Sequence, residues 1–210
     1  MIRTSSVLRH TRTAVGVLLA AAALTACGGG TAHQGAAAVV GGRRIPIAEV
    51  EARVAALRTA TAAQPGGQQV EPTGLTRRTV GELVLDQVVS RALDDRQLSV
   101  SDGDIAQARD ADSKQLGGAD ALARELLKQG VAADDIDSFY RQQLGIQKLA
   151  TAEGKDARTP EGDAVVRAAL TQAGTELKIQ VNPRYGQWDP KQVSLTDTPM
   201  SWLPKPSAAA

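Results

Sequence analysis

Apolar residues recur at helical spacing through most of the chain beyond residue 46. Pro46 suits the first turn of a helix, and a stripe with spacings of three and four follows it: Ile47, Val50, Val54 and Leu57. A wider apolar face between about Thr76 and Gln97 predicts a long helix at the centre of the fold. The proline and glycine residues of segment 64–74 predict a loop between these two helices.

Two further helices are delimited by start and stop signals. Ser101 and Asp104 form a Ser-x-x-Asp motif, which is typical of a helix start. We expect this helix to end at Gly117-Gly118, because glycine readily adopts the left-handed conformation that terminates helices. A short helix with three inward leucines is predicted over 119–129, and Gly130 is its expected C-terminal stop.

The last two helices begin at polar residues. Asp134-Asp135 opens one of them, since acidic side chains at this end favour the helix dipole. Its apolar face consists of Ile136, Phe139, Tyr140, Leu144 and Leu149. Thr159-Pro160 opens the final helix, and Gly174 is expected to close it.

Short strands are predicted at both ends of the helical region. Residues 37–45 read as a β-hairpin, because Gly41-Gly42 can adopt the positive φ angles of a two-residue turn. Strict alternation of apolar residues over 176–182 predicts a strand with one buried face. A lone hairpin is marginal in water, so we expect the N-terminal hairpin and the C-terminal strand to pair. The fold class is therefore mostly α, with five or six helices and a small β element.

The C-terminal tail is rich in proline. Beyond Pro183 the chain carries further prolines that disfavour regular structure: Pro190, Pro199, Pro204 and Pro206. We expect this segment to be loop or disordered. The domain organisation that follows is a folded domain over 37–189 and a tail over 190–210.

The first 26 residues have the order of a secretory signal peptide. A basic region with Arg3, Arg9 and Arg12 precedes an apolar run from Ala14 to Leu24, and small residues follow. The apolar run is shorter than the roughly 20 residues of a transmembrane helix. No two arginines are adjacent here, which favours general secretion over the twin-arginine route.

The only cysteine of the chain, Cys27, follows this signal directly. The junction Leu24-Thr25-Ala26-Cys27 resembles the lipobox of bacterial lipoproteins, which implies a diacylglyceryl group on the Cys27 sulfur and cleavage in front of it. Two acyl chains anchor a protein stably where one is marginal. We therefore expect lipid anchoring at the outer face of the cell membrane, through a Gly-rich tether over 27–36. The alternative is ordinary cleavage beside an incidental cysteine.

Composition narrows the range of partners. Without residues 1–26 the chain has 21 basic and 23 acidic residues, a formal charge of −2. A near-neutral charge argues against nucleic acid and against a polybasic contact with lipid headgroups. A single cysteine allows no intramolecular disulfide, and aromatic residues are scarce, so the fold depends on an aliphatic core.

Residues for catalysis are few. The two histidines, His10 and His33, fall in the signal peptide and the tether, so no His-based triad or histidine metal site can form in the folded part. Asp94-Asp95 and Asp134-Asp135 are adjacent carboxylates, but neighbouring helix residues do not face each other. Solvated charge explains these pairs better than acid–base catalysis does. We expect no enzymatic activity, no metal and no cofactor.

Four stretches in a fixed order carry a resemblance to a known family. The chain resembles the N-terminal domain of SurA-type and PrsA-type extracytoplasmic chaperones over roughly residues 37–189. The first stretch comprises 38–45 and 48–50, and the second comprises 83–98 and 99–102. The third comprises 126–131, 134–136 and 143–149, and the fourth is 178–189. The last stretch resembles the C-terminal signature of small SurA N-domain lipoproteins from high-GC Gram-positive bacteria.

The resemblance implies both a fold and a function. In that family the first hairpin pairs with the last strand, and the helices form a cradle for unfolded segments of client proteins. Many relatives insert a parvulin prolyl-isomerase domain where this chain has only Ala152–Thr159. Parvulin catalysis is associated with buried histidines, and only His33 remains after cleavage. The resemblance therefore implies a chaperone-like domain without the isomerase.

The aromatic residues are the candidate client-binding positions. Phe139 and Tyr140 lie on one predicted helix and read most simply as core, with client contact as the alternative. Tyr185, Trp188 and Trp202 cluster near the C terminus, where they either fold back to fill gaps in an alanine-rich body or form an exposed apolar patch. The expected partners are unfolded or newly exported polypeptides. The alternative is a structural or adaptor lipoprotein with one specific envelope partner.

Overall fold

A computed structural model describes residues 35–64 and 74–197. The described residues form six α-helices: α1 Ile47–Ala62, α2 Leu75–Asp94, α3 Asp102–Leu116, α4 Ala119–Lys128, α5 Ile136–Thr151 and α6 Pro160–Glu176. They also form five strands: β1 Ala36–Val40, β2 Arg43–Pro46, β3 Gln180–Val181, β4 Gln187–Asp189 and β5 Ser194–Thr196. The predicted fold class, a helical bundle with a small β element, is confirmed. The predicted signal peptide, Cys27 and Trp202 lie outside the described residues.

The sheet joins the two ends of the helical region. Strands β2, β1 and β3 are adjacent in that order and antiparallel. Gly41 and Gly42 form the β1–β2 turn at φ values of 55° and 84°, which only glycine adopts without strain. Ala38 pairs with Val181 across β1 and β3. The predicted pairing of the N-terminal hairpin with the C-terminal strand is therefore confirmed.

The helix start signals act as the sequence indicates. At the start of α3, the Ser101 hydroxyl accepts a hydrogen bond from the Asp104 amide at 3.1 Å, and the Asp104 carboxylate accepts one from the Ser101 amide at 3.0 Å. At the start of α6, the Thr159 hydroxyl accepts from the Gly162 amide at 3.1 Å. These bonds satisfy amides that have no partner inside the helix.

The predicted end of the last helix is wrong. α6 continues past Gly174 to Glu176, and the extended segment shrinks from 176–182 to the two residues of β3. Gly174 is buried, and a Cβ placed on it would lie 3.1 Å from Nε1 of Trp188. The glycine therefore allows the Trp188 ring to pack against α6, and the turn out of the helix occurs at Lys178, where φ is 47°.

The prediction of loop or disorder beyond Pro183 is also wrong for part of the tail. Strands β4 and β5 form a second hairpin, with Trp188 opposite Leu195. The hairpin is tied to α2, because the Arg77 guanidinium donates a hydrogen bond to the Leu195 carbonyl at 3.0 Å. Gly81 leaves room beside α2 for the Leu195 side chain. Tertiary packing thus orders a segment that its local composition disfavours.

The core has two parts, and α5 contributes to both. The main cluster surrounds α2, which buries eight aliphatic side chains in it: Leu75, Val80, Leu83, Val84, Val88, Val89, Ala92 and Leu93. A smaller cluster joins α3, α4 and the first half of α5 through Ile105, Leu122, Leu126 and Tyr140. The predicted central position of α2 is confirmed, although α2 spans Leu75–Asp94 rather than 76–97.

Candidate functional site

Residues of α1, α2 and α5 line two adjoining cavities. We call the two together the groove. The larger has a volume of 410 Å³ and the smaller 260 Å³. Four residues line both cavities and so mark their junction: Arg53, Asp86, Ser138 and Gln142. The groove is therefore one continuous depression with two ends.

The lining of the groove is amphipathic. In the larger cavity it includes aliphatic residues of α2 and of the connection to α3: Leu83, Val89, Leu93, Leu98 and Val100. In the smaller cavity it includes Leu57, Val131 and Phe139. The remaining lining residues are mostly polar or charged. A surface of this kind can contact apolar side chains and hydrogen-bonding groups of one ligand at the same time.

An ion pair closes one side of the junction. Arg53 on α1 lies 3.2 Å from Asp135, which directly precedes α5. Both side chains are about three quarters buried, with exposures of 28% and 25%. The pair therefore fixes the distance between α1 and the start of α5, where direct helix packing is slight.

Asp86 and Gln142 join the other two helices at the junction. The Gln142 amide on α5 donates a hydrogen bond of 2.6 Å to Asp86 Oδ1 on α2. Burial raises the pKa of Asp86 to about 6, with smaller upward contributions from Glu82 and Asp135. The hydrogen bond from Gln142 and the charge of Arg53 oppose this rise. Asp86 is thus a carboxylate whose charge is incompletely compensated by its surroundings.

The end of the larger cavity is held by ion pairs from α5. Arg141 lies 3.0 Å from Asp102 at the start of α3. Lys148 contacts the Asp104 carboxylate at 2.7 Å and donates to the Ser99 carbonyl at 2.8 Å. The pKa of Asp104 is lowered to about 2, chiefly by the bond from Lys148. These contacts hold the α2–α3 connection in place, and this connection contributes Leu98 and Val100 to the apolar lining of the larger cavity.

Phe139 and Tyr140 are adjacent on α5 but have different roles in the structure. Phe139 is half-buried and lines the smaller cavity. Tyr140 is buried in the smaller core cluster, where its hydroxyl donates a hydrogen bond of 2.8 Å to Asp112 on α3. The two rings meet edge to face, with centroids 5.5 Å apart. Of this pair, only Phe139 is placed to contact a ligand in the groove.

The C-terminal aromatic residues lie elsewhere. Tyr185 is buried in the main core cluster, and Trp188 packs against that cluster beside Gly174. Neither lines the groove. This placement matches the interpretation that the tail folds back to fill gaps in an alanine-rich body.

The polar residues at the junction were not found from the sequence. Arg53, Asp86 and Gln142 are far apart in the chain, and only the packing of α1, α2 and α5 brings them together. One signal was available for Asp86, which interrupts the apolar run from Leu83 to Val89 on the central helix. A carboxylate in such a run indicates either that its position lies at the border between the buried and exposed faces of the helix or that it belongs to a polar site.

Residues 35–64 and 74–197 contain neither a candidate metal-binding cluster nor a helix that could span a membrane. In this part of the chain, no group of three or more His, Cys, Asp or Glu side chains is arranged to hold a metal ion. None of the helices described there combines the length and apolar character needed to cross a membrane.

Comparison with known families agrees with this architecture. The family model of the SurA-like N-terminal domain matches residues 5–150, more than half of the chain. This protein therefore belongs to the family of SurA-like N-terminal domains. The match includes every residue that lines the groove, whereas α6 and β3 lie beyond it. No curated protein and no solved structure shows significant similarity to the chain.

Proposed function

We propose that this protein is a lipid-anchored extracytoplasmic chaperone that binds unfolded or newly exported polypeptides in the groove. The observation that carries the proposal is an amphipathic groove in a SurA-like N-terminal domain, a family related to chaperones. An unfolded segment exposes apolar side chains together with unpaired backbone amides and carbonyls. The groove offers contacts for both.

The groove chemistry supports binding of broad specificity. Gln87, Gln142, Ser90 and Ser138 carry groups that donate and accept hydrogen bonds, so they can pair with backbone atoms of any sequence. The aliphatic lining gains from burial of whichever apolar side chain it meets. Ordering an unfolded segment costs conformational entropy, which limits the affinity and permits release.

In this proposal the protein holds its clients without catalysis. The connection between α5 and α6 consists of residues 152–159, where many chaperones of the resembled type carry an isomerase domain. The lipid on Cys27 holds the protein at the outer face of the membrane. Residues 28–35 separate Cys27 from β1, and a segment of this length reaches at most about 30 Å even when fully extended. The anchor would therefore keep the domain near the membrane surface where exported chains emerge.

Site-specific photo-crosslinking in the native membrane tests the proposal. A photoreactive residue at Gln143, which is exposed and lines the smaller cavity, is compared with one at Gln172, an exposed position on α6 outside the groove. We expect adducts with many exported polypeptides from position 143 and few from position 172. A single stoichiometric adduct would identify an adaptor with one partner, and equal labelling from both positions would exclude the groove as the binding site.

A further inference from the structure

The larger cavity of the groove is bordered by more carboxylates than cations. Glu49, Asp86 and Asp94 line it together with Arg53 and Arg141. Asp86 and Asp94 are two turns apart on α2, a separation of about 12 Å along the helix. The negative charge is therefore spread along the cavity rather than gathered at one point.

Both guanidinium groups in the lining are already paired. Arg53 contacts Asp135 at 3.2 Å, and Arg141 contacts Asp102 at 3.0 Å. Among the described residues, neither Glu49 nor Asp94 forms an ion pair or a side-chain hydrogen bond. Because Arg53 and Arg141 are paired with Asp135 and Asp102, they do not neutralise Glu49 and Asp94, and the larger cavity retains negative charge.

The same cavity has an apolar surface next to these carboxylates. Leu98 and Val100, in the connection from α2 to α3, are half-buried and supply its accessible part, whereas Leu83, Val89 and Leu93 belong to the buried core behind it. Lysine and arginine side chains bury their methylene stems along apolar surface while their charged ends reach polar groups. The volume of 410 Å³ falls within the range of about 300–1,000 Å³ that is typical of ligand sites.

We propose that the larger cavity selects polypeptide segments in which a lysine or arginine stands among apolar residues. The cationic end meets the free carboxylates of Glu49 and Asp94, and the stem packs on the half-buried Leu98 and Val100. Charge complementarity of this kind adds selectivity to a groove that otherwise binds through apolar and backbone contacts. The inference rests on the proposed function and specifies which segments the groove prefers.

A pair of peptides that differ in one group tests this preference. The full chain is titrated with a fluorescent apolar peptide bearing one central lysine and with the same peptide bearing norleucine, which keeps the stem and removes the charge. We expect the lysine peptide to bind about twofold to fivefold more tightly, as for an exposed ion pair. The difference is expected to shrink with added salt.

Variants locate the effect. Glu49→Gln combined with Asp94→Asn is expected to remove most of the difference between the peptides, whereas Asp110→Asn, an exposed position on α3 outside the groove, leaves it unchanged. Equal binding of both peptides to the unaltered chain, or a preference that survives the double substitution, would overturn this inference alone. Failure of both peptides to bind would overturn the proposed function together with it.

Discussion

The Gln142 amide donates a hydrogen bond of 2.6 Å to the Asp86 carboxylate and so ties α5 to the middle of α2. The bond lies where the two cavities of the groove meet. It satisfies one carboxylate oxygen but does not offset the cost of burying the charge, and the pKa of Asp86 is therefore raised to about 6. The groove thus contains a carboxylate whose ionisation opposes folding.

Asp86→Asn is expected to stabilise the protein at neutral and alkaline pH. The unfolded chain titrates Asp86 near its ordinary value of 3.8, so between pH 4 and 6 the folded state binds more protons and the wild type gains stability as pH falls. At pH 8 the variant should be more stable by up to about 3 kcal/mol, and near pH 4 this advantage should largely vanish. Urea unfolding at several pH values measures it, with Asp110→Asn as control. An advantage that does not change with pH would contradict the account.

Gly145→Ala is expected to destabilise the contact between α2 and α5. A Cβ at this position would lie 2.8 Å from Cγ1 of Val89 and 3.1 Å from Cδ1 of Leu93, both on α2. Overpacking of this kind typically costs about 1–3 kcal/mol. Gly103→Ala is the matched control, because this helical glycine has only the Ser101 hydroxyl nearby, at 3.6 Å. It should be neutral or slightly stabilising. Thermal unfolding compares the two variants, and equal melting temperatures would refute the predicted close contact.

Tyr140→Phe is expected to weaken the packing of α3 against α5. The substitution removes the hydrogen bond of 2.8 Å from the Tyr140 hydroxyl to Asp112, at a cost of about 1 kcal/mol. Tyr185→Phe serves as control, since the Tyr185 hydroxyl makes no hydrogen bond with the described residues. Chemical denaturation should separate the two variants. If both lose the same stability, the hydrogen bond contributes nothing specific.

Cys27→Ser is expected to abolish membrane anchoring. The substitution removes the thiol that the lipobox-like junction Leu24–Cys27 offers for acylation. Metabolic labelling with a fatty-acid analogue and membrane fractionation follow the outcome. The wild type should carry label and sediment with membranes, whereas the variant should carry none. A labelled variant, or an unlabelled wild type, would show that Cys27 is not the lipid site.

Local signals predicted most of the secondary structure. The hairpin turn at Gly41-Gly42 and the capping box of Ser101 and Asp104 depend on the backbone preferences of a few neighbouring residues, which are legible in the sequence. The apolar face of α2 predicts its central position for the same reason, because a wide stripe must be buried on several sides.

Long-range packing decided the features that were mispredicted. Gly174 reads as a helix stop, but its missing side chain admits Trp188, which is 14 positions further along the chain. The β4–β5 hairpin likewise depends on Arg77 of α2. The groove has the same origin, since Arg53, Asp86 and Gln142 come together only when three helices pack. Periodicity within one helix contains no information about such contacts.

Suppression of aggregation by a groove-filled variant tests the central claim most directly. Ser138 lines both cavities, so Ser138→Trp should obstruct the groove, whereas Ala168→Trp places the same ring on the exposed surface of α6. Light scattering follows a denatured secreted protein diluted into liposomes that carry the full chain in several-fold excess. The wild type and Ala168→Trp should suppress aggregation, and Ser138→Trp, shown to be folded by circular dichroism, should not. Suppression by Ser138→Trp equal to that of the wild type, or no suppression by any of the three, would contradict the account.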